Sequence, residues 1–311
     1  MNKLQSALDE YLAVRHALGH KLRLSGRLLQ RFIEFADRQG AEYITSDLAL
    51  AWATQPTAAQ PAQWANRLGM VRRFAQYCTV RDPRTVVPSA DLLPHRYHRP
   101  DPYLYRDEEI KRLLEAAQRL PSAIGLRPYT FATLFGLYVS TGLRANEPLH
   151  LDRNDVDLLN GVLTIRETKF GKSRYVPLHA TTQQALRRYA DRRDQCCHDP
   201  ATPSFFISDR GTRLTEWCVR WTFVKLSQEI GLRGPDDSRG PRLHDLRHRL
   251  AINTLLKWYQ HGVDVDRHLP ELSAYLGHAH VTDTYWYLTA TPKLLNFALQ
   301  RVERSRQGRR P

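Results

Sequence analysis

The chain has 311 residues, of which 42% are hydrophobic and 25% charged, a balance that permits a packed core and argues against wholesale disorder. Its 46 Lys and Arg residues against 32 Asp and Glu give a formal net charge of +14. This charge favours a polyanionic partner such as nucleic acid, with a merely solvated basic surface as the alternative. Four cysteines without a CxxC pair and a charged N-terminus predict reduced thiols in a cytoplasmic protein rather than a secreted one. The weakly polar stretch 129–143 is too short to span a bilayer, so we expect a buried helix there and no membrane role.

A proline-rich segment divides the sequence into two predicted domains, residues 1–99 and 100–311. Five prolines within twenty residues leave little room for a helix or a central strand. They are Pro83, Pro88, Pro94, Pro100 and Pro102. Both domains are basic, so a single polyanion can contact both.

The first domain is predicted to be all helical. Apolar residues repeat with helical spacing between positions 4 and 12 and again between 28 and 35, and Gly40 ends the second helix. Ser46 and Asp47 are expected to cap a third helix, and residues 62–77 to form a fourth. The polar faces of this small bundle either keep it soluble or contact phosphates. The residues expected to contact phosphates are Lys21, Arg23, Arg27, Arg31, Arg72 and Arg73.

The second domain is predicted to be mainly helical with one hairpin. Asp107 is expected to cap its first helix, and a buried helix follows around 131–139. The clear strand pattern lies at 162–165 and 174–178, on either side of a turn at Phe170 and Gly171. Further helices are predicted at 181–193, 215–230, 243–259 and from 272 towards the end.

Two stretches carry cationic residues that can handle a phosphate. Arg144 lies at a loop-to-helix junction, where a guanidinium and backbone N–H groups can hold an oxyanion together. Glu147, three residues on, can orient Arg144, although a surface Arg–Glu pair worth little is the alternative. Lys169 lies in the predicted hairpin turn, where it can reach a ligand and donate a proton. Exposed turn lysines are common, so this position carries little weight alone.

Two further stretches supply histidines and a tyrosine. In the segment His244-Asp245-Leu246-Arg247-His248, the first histidine shares a helix face with Arg247 and with the last histidine. The spacing is similar to the HExxH zinc motif, but the second residue is Asp and no third ligand is suitably placed, so phosphate handling is favoured. His278 is followed by Tyr285 and Tyr287, of which at most one can enter a shared site because they lie two positions apart.

Together these stretches suit a phosphodiester that is attacked by a protein nucleophile. Two arginines neutralise the pentacoordinate phosphorane, a lysine protonates the leaving oxygen, and a tyrosine attacks. The sequence shows no carboxylate cluster for a metal ion, so the arginines would replace divalent ions.

The order Arg, Lys, His-x-x-Arg, His, Tyr resembles that of the tyrosine recombinase family, which includes phage integrases and Xer-type recombinases. TGLRANE is similar to the family's first arginine box, HDLRH to its second, and TKFGKSRYVPL to its lysine hairpin. The hairpin match puts the family lysine at Lys169 rather than Lys172, and the nine-residue step from His278 reaches Tyr287 rather than Tyr285. The resemblance covers residues 102–295.

The resemblance implies a mainly α fold of the tyrosine-recombinase type. Residues 1–99 would form a SAM-like helical core-binding domain, and residues 100–311 a mainly α catalytic domain with a small antiparallel β-sheet. The two domains would close around double-stranded DNA, with Lys172 and Arg174 of the hairpin among the DNA contacts.

The family's catalytic positions fall on Arg144, Lys169, His244, Arg247, His278 and Tyr287, with Glu147 in support. The resemblance implies that the two arginines hold the non-bridging oxygens and that Lys169 protonates the 5′-hydroxyl leaving group. It implies that His244 activates Tyr287 as a base or hydrogen-bond partner, and that His278 binds the phosphate. Tyr287 would form a 3′-phosphotyrosine that retains the energy of the phosphodiester, so no ATP, metal or other cofactor is implied.

The expected function is site-specific recombination that integrates, excises or transposes a mobile element. It would be carried out by a homotetramer on two DNA sites, with or without partner recombinases. A type IB topoisomerase-like relaxing enzyme and a DNA-binding accessory subunit with an inactive site are the alternatives.

The sequence leaves two alternatives open for each of two segments and makes one prediction about Glu147. Residues 292–302 either dock on a neighbouring subunit or close on their own chain. Residues 261–264 form either a loop or a partner contact. Pro148 disfavours helical geometry at Glu147, which predicts a displaced Glu147.

Overall fold

The computed structural model describes residues 3–94, 101–166, 173–237, 240–289 and 291–307. The chain forms two compact units, Met1–Pro100 and Asp101–Pro311. Across the described ranges, no helix combines the length and the apolar character that crossing a bilayer requires.

The first unit is a bundle of four helices in its described part, as predicted. Its core contains Leu8, Phe32, Trp52 and Phe74, all of which are buried. The helices are α1 (Lys3–Ala17), α2 (Arg23–Arg38), α3 (Ser46–Thr54) and α4 (Pro61–Cys78).

The predicted cap of α3 was wrong by one residue. Thr45, in extended backbone geometry, accepts a hydrogen bond on its hydroxyl from the backbone N–H of Leu48 at 3.1 Å. Ser46 is therefore the first helical residue, and Asp47 lies in the first turn, where a negative charge favours the helix dipole.

The second unit is mainly helical around a buried helix that packs against several others. That helix contributes Leu134, Phe135 and Tyr138 to the core. The helices are α5 (Asp107–Gln118), α6 (Arg127–Thr141), α7 (Ala180–Cys196), α8 (Glu216–Glu229), α9 (Asp245–Gln260), α10 (Val265–Leu276), α11 (Thr282–Tyr285) and α12 (Pro292–Gln307). Short 3₁₀ helices span Pro148–His150, Arg153–Asp155 and Trp286–Thr289.

A small antiparallel sheet stands beside these helices. Its strands are β1 (Val156–Asp157), β2 (Val162–Ile165) and β3 (Arg174–Pro177), in the order β1-β2-β3. The two-residue β1 was not predicted, because two residues carry no alternation pattern. The mainly α fold with a small antiparallel sheet is confirmed.

Two boundary predictions in this unit were wrong. Asp107 is the first residue of α5 rather than its cap. The cap is Arg106, whose backbone N–H donates to the Glu109 carboxylate at 2.8 Å. The helix expected from 272 onwards is broken, because α10 ends at Gly277, whose φ is 72°.

The structure gives a conformation to both segments for which the sequence left alternatives, residues 261–264 and 292–302. Residues 261–264 make a tight turn between α9 and α10. The C-terminal helix α12 packs on its own chain, where Leu294 is fully buried and Phe297 stacks on Tyr259 with ring centroids 5.8 Å apart.

Candidate active site

Three consecutive carbonyl groups at the end of α10 each accept a hydrogen bond from a different arginine. Arg174 Nε donates to the carbonyl of residue 275 at 3.1 Å, and Arg247 Nη2 to that of residue 276 at 2.6 Å. Arg144 Nη2 donates to the carbonyl of Gly277. The last carbonyls of a helix lack helical partners and form the negative end of its dipole, so they attract cations. The helix end thereby brings three guanidinium groups together.

Arg247 is the most deeply buried of these arginines, at 2% exposure. Its Nη1 also donates to the carbonyl of Gly142 at 2.8 Å, which ties α9 to the end of α6. Burial lowers the pKa of Arg247 to about 10. The charge of Arg144 lowers this pKa further, whereas Tyr287 raises it. Arg247 therefore keeps its charge at neutral pH.

Glu147 lies between Arg144 and Arg174. Its carboxylate accepts hydrogen bonds from the backbone N–H of Arg144 at 2.9 Å and from Arg144 Nη1 at 3.0 Å. It also accepts from Arg174 Nη1 at 2.9 Å and from Arg174 Nη2 at 2.8 Å. Burial acts to raise the pKa of Glu147, but the hydrogen bonds and charges of Arg174 and then Arg144 outweigh it and hold the pKa below its usual value. The carboxylate is therefore ionised and fixes both arginines.

The displacement of Glu147 expected from Pro148 does not occur. Glu147 has helical backbone angles, with φ at −62° and ψ at −50°. Pro148 is the first residue of a 3₁₀ helix. An N–H group at this position would have no partner within the helix, so proline is tolerated there.

Arg174 was predicted to contact DNA, and the structure gives it a different environment. Its side chain is only 13% exposed and forms an ion pair with the Glu147 carboxylate. The sequence carried a signal for this, because Arg174 and Val176 share one face of β3, and Val176 is buried while Tyr175 between them is exposed. Three guanidinium groups and one carboxylate leave the cluster with net positive charge, which suits a phosphate.

His248, which the sequence did not single out, lies against the Tyr287 hydroxyl, and the role predicted for His244 stays a prediction. His248 is buried, and its Nδ1 lies 3.1 Å from Tyr287 Oη. His244 caps α9, is exposed, and packs its ring edge-on against His248 with centroids 4.6 Å apart. Helical spacing places both histidines on one face, but only the position of the 286–289 helix selects between them.

The structure brings Tyr287 to the site and leaves Tyr285 at the surface. Tyr287 is 2% exposed and Tyr285 is 51% exposed. The His278 ring lies nearly parallel to that of Tyr287, with centroids 6.2 Å apart and planes 14° apart. His278 Nδ1 lies 2.7 Å from the hydroxyl of Thr284, which orients the imidazole.

The remaining predicted residues are the two hairpin lysines and the basic residues of the first unit. Lys169 and Lys172 lie outside the described residues. In the first unit, Arg72 is half-buried, while the other basic residues named above are exposed on α2, on α4 or just before α2. Over the ranges that the structure describes, no three histidine, cysteine or carboxylate side chains are grouped as a metal ion requires.

Comparison with known proteins identifies the family. Residues 104–293 match the phage integrase family. A putative integrase/recombinase of Sinorhizobium fredii, y4rB, is 50% identical over 99% of this chain and 100% of its own length. The tyrosine recombinase XerC of Chlamydia caviae is 29% identical over 73% of this chain and 67% of that protein.

Two solved structures share the fold. The Tn1549 transposon integrase in complex with transposon right end DNA has a TM-score of 0.70 at 17% identity, over 98% of this chain and 99% of that one. The XerH site-specific recombinase bound to a palindromic difH substrate has a TM-score of 0.65 at 20% identity, over 90% and 78% respectively. The chain therefore belongs to the phage integrase family and is a tyrosine recombinase, as its sequence motifs predicted.

Proposed function

We propose that this tyrosine recombinase cleaves and rejoins double-stranded DNA at specific sites through attack of Tyr287 on a phosphodiester. The observation that carries the proposal is that Tyr287 is buried close enough to Arg247 to interact with its charge, and that Arg247 belongs to the cluster of three arginines on the end of α10. Tyr287 Oη forms a bond to phosphorus, the bond to the 5′ oxygen breaks, and that oxygen takes a proton from Lys169. The product is a 3′-phosphotyrosine and a free 5′-hydroxyl.

Arg144 and Arg247 hold the non-bridging oxygens during this attack. Formation of the phosphorane adds negative charge at phosphorus, and preformed positive groups stabilise such charge most when they need not reorganise. Both guanidinium groups are already fixed on backbone carbonyls. His278 binds the phosphate from the turn after α10, and His244 at the start of α9 helps to activate Tyr287 as a hydrogen-bond partner.

The covalent intermediate makes the reaction reversible without ATP. The phosphotyrosine bond retains the energy of the broken phosphodiester, so a 5′-hydroxyl from another strand can reverse the attack and exchange strands. The arginines supply the positive charge that this chemistry requires, so it needs no metal ion.

The Met1–Pro100 unit is proposed as the core-binding domain and the Asp101–Pro311 unit as the catalytic domain. Exposed basic residues on α2 and α4 support the first assignment, because they suit the phosphate backbone. A homotetramer on two DNA sites is proposed, since a lambda integrase tetramer bound to a Holliday junction shares the fold with a TM-score of 0.63. We place the protein in the cytoplasm with its DNA substrate and assign it to a mobile element, a role supported by the transposon integrase of like fold.

The test is covalent trapping in EDTA. The probe is a set of nicked duplexes from the DNA that flanks the protein's own gene, so that the cleaved fragment is lost and cleavage cannot reverse. Wild type and Tyr285→Phe are expected to form a protein–DNA adduct on a denaturing gel, whereas Tyr287→Phe binds DNA but forms none. An adduct that persists in Tyr287→Phe would refute the assigned nucleophile, and DNA binding without any wild-type adduct would favour an accessory subunit.

A further inference from the structure

His248 occupies a position for which the proposed function has assigned no role. It lies one turn after His244 on α9, and its ring packs against Trp286 with centroids 5.2 Å apart and against Tyr287 with centroids 5.5 Å apart. Only 2% of the residue is exposed. The Nδ1 atom lies 3.1 Å from the oxygen that must lose its proton during attack, within the reach expected of a general base.

We propose that His248 is a further catalytic residue whose Nδ1 accepts the proton of Tyr287 as the tyrosine attacks phosphorus. This assignment rests on the proposed function. Neutral His248 carries its proton on Nε2, and the Tyr287 O–H donates to Nδ1. As the Oη–P bond forms and the bond to the 5′ oxygen breaks, the tyrosine proton passes to Nδ1 and leaves His248 as an imidazolium. The departing 5′ oxygen takes a separate proton from Lys169, and the rejoining step returns the first proton to Tyr287.

The surroundings of the pair fit this direction of transfer. Among the residues that the structure describes, His244 and Arg247 lie beside this pair at the start of α9, and the His278 ring lies beside Tyr287 after the end of α10. Arg144 binds the carbonyl of Gly277, the residue before His278. Arg247 interacts electrostatically with Tyr287, and its positive charge favours transfer of the proton away from the tyrosine oxygen. The exposed His244 ring packs against His248, so the buried imidazole lies one ring from solvent.

The direction of the hydrogen bond can be measured without DNA. Nitrogen-15 NMR of the histidine rings at neutral pH should show His248 with an unprotonated Nδ1, and this resonance should shift in Tyr287→Phe. A neutral His248 that carries its proton on Nδ1 would be a donor to Tyr287, and this result would overturn the assignment.

The catalytic step is tested by the pH profile of single-turnover cleavage on the nicked probe. In wild type the rate should fall at acid pH, because a protonated His248 cannot accept the tyrosine proton. His248→Asn places an amide oxygen near the Nδ1 position but cannot take a proton. We expect a loss of about 10²–10⁴-fold at pH 7. The remaining rate should rise about tenfold per pH unit at alkaline pH, because hydroxide must then remove the proton.

The matched control is His261→Asn at the exposed C-terminal end of α9, which should keep the wild-type rate and profile. A loss in His248→Asn that is equal at every pH would indicate a structural role and overturn the proposal. If His248→Asn does not fold, the NMR measurement on wild type still decides. If wild type and His248→Asn form the adduct with the same pH profile, only the role of His248 is refuted. If wild type forms no adduct, the proposed function is refuted and this assignment with it.

Discussion

Replacing Glu147 by alanine tests whether one carboxylate organises the arginines of the site. The substitution removes the acceptor of four hydrogen bonds, two from Arg144 and two from Arg174. The Glu147 side chain is 8% exposed and that of Arg174 13% exposed, so the variant leaves a largely buried guanidinium without its counter-ion.

The expected cost is about 3–5 kcal/mol of unfolding free energy, the range typical for breaking a buried ion pair by removing one partner. The lost contact to Arg144 adds less, because its side chain is 29% exposed and solvent compensates it. The double variant Glu147→Gln with Arg174→Met removes both charges and should recover part of the loss. We expect single-turnover cleavage by Glu147→Ala to fall by up to about 10²-fold, because Arg144 is no longer fixed.

The measurement should report on the second unit alone, since the two units need not unfold together. Hydrogen exchange of peptides from α6 and α10 across a urea series provides this local free energy. Glu229→Ala is the matched control, because Glu229 pairs with Arg119 at 3.6 Å with its side chain 50% exposed, and such pairs contribute under about 1 kcal/mol. Equal effects of Glu147→Ala and Glu229→Ala would refute the reasoning.

The same contact predicts a pH dependence with a definite sign. Because the arginines hold the pKa of Glu147 below its usual value, its contribution is complete above the unfolded pKa of about 4.3. It is lost as pH falls through the lower folded pKa. The stability difference between wild type and Glu147→Gln should therefore be constant near neutral pH and shrink below about pH 4.

Three other substitutions probe separate parts of the molecule. Gly277→Ala places a Cβ within 2.6–2.9 Å of three guanidinium atoms of Arg174, so stability should fall by about 1–3 kcal/mol in urea unfolding and cleavage should slow. Gly262→Ala, at a similar φ of 68° with open space around it, should show backbone strain alone and normal cleavage, and equal behaviour of the two would contradict the clash. Arg247→Lys cannot span the carbonyls at the ends of α6 and α10, so trapping rates should drop about 10²-fold, and a rate within a few-fold of wild type would exclude phosphate binding there. Arg31→Ala should lower the slope of log affinity against log salt by about 1 if this exposed residue contacts a phosphate, and an unchanged slope would remove it from the interface.

Local patterns predicted the elements of the fold, and their errors fall at the ends. Helical spacing of apolar residues located the helices of the first unit, because each buries one face against the others. The caps at Thr45 and Arg106 were missed by one residue. The Thr45 hydroxyl caps α3 in place of the neighbouring Ser46, and at α5 the Glu109 carboxylate accepts from the backbone N–H of Arg106, a residue whose side chain cannot cap a helix. The break at Gly277 was missed because the apolar pattern continues beyond it, into the segment that holds Tyr287.

The order of motifs predicted which residues meet, but not which atoms touch. Arg144, Arg247, His278 and Tyr287 lie in one site although more than 140 positions separate the first from the last. The contact between His248 and Tyr287 depends on how the segment after α10 docks, and no local pattern specifies that docking. The resemblance placed Arg174 among the DNA contacts, and the alternation along β3 instead turns its side chain towards Glu147.

At the end of α10, backbone carbonyl groups contribute to the site, and a motif of side chains does not reveal them. The motif Leu276-Gly277-His278 suggests one functional side chain, the histidine, yet the carbonyls of residues 275, 276 and 277 each bind a different arginine. Glycine at 277 permits the left-handed φ of 72° and leaves room for Arg174 beside it. The helix end and Glu147 offset the mutual repulsion of three guanidinium groups before DNA arrives. An incoming phosphate then meets positive groups already held in place, so little of its binding energy is needed to assemble them.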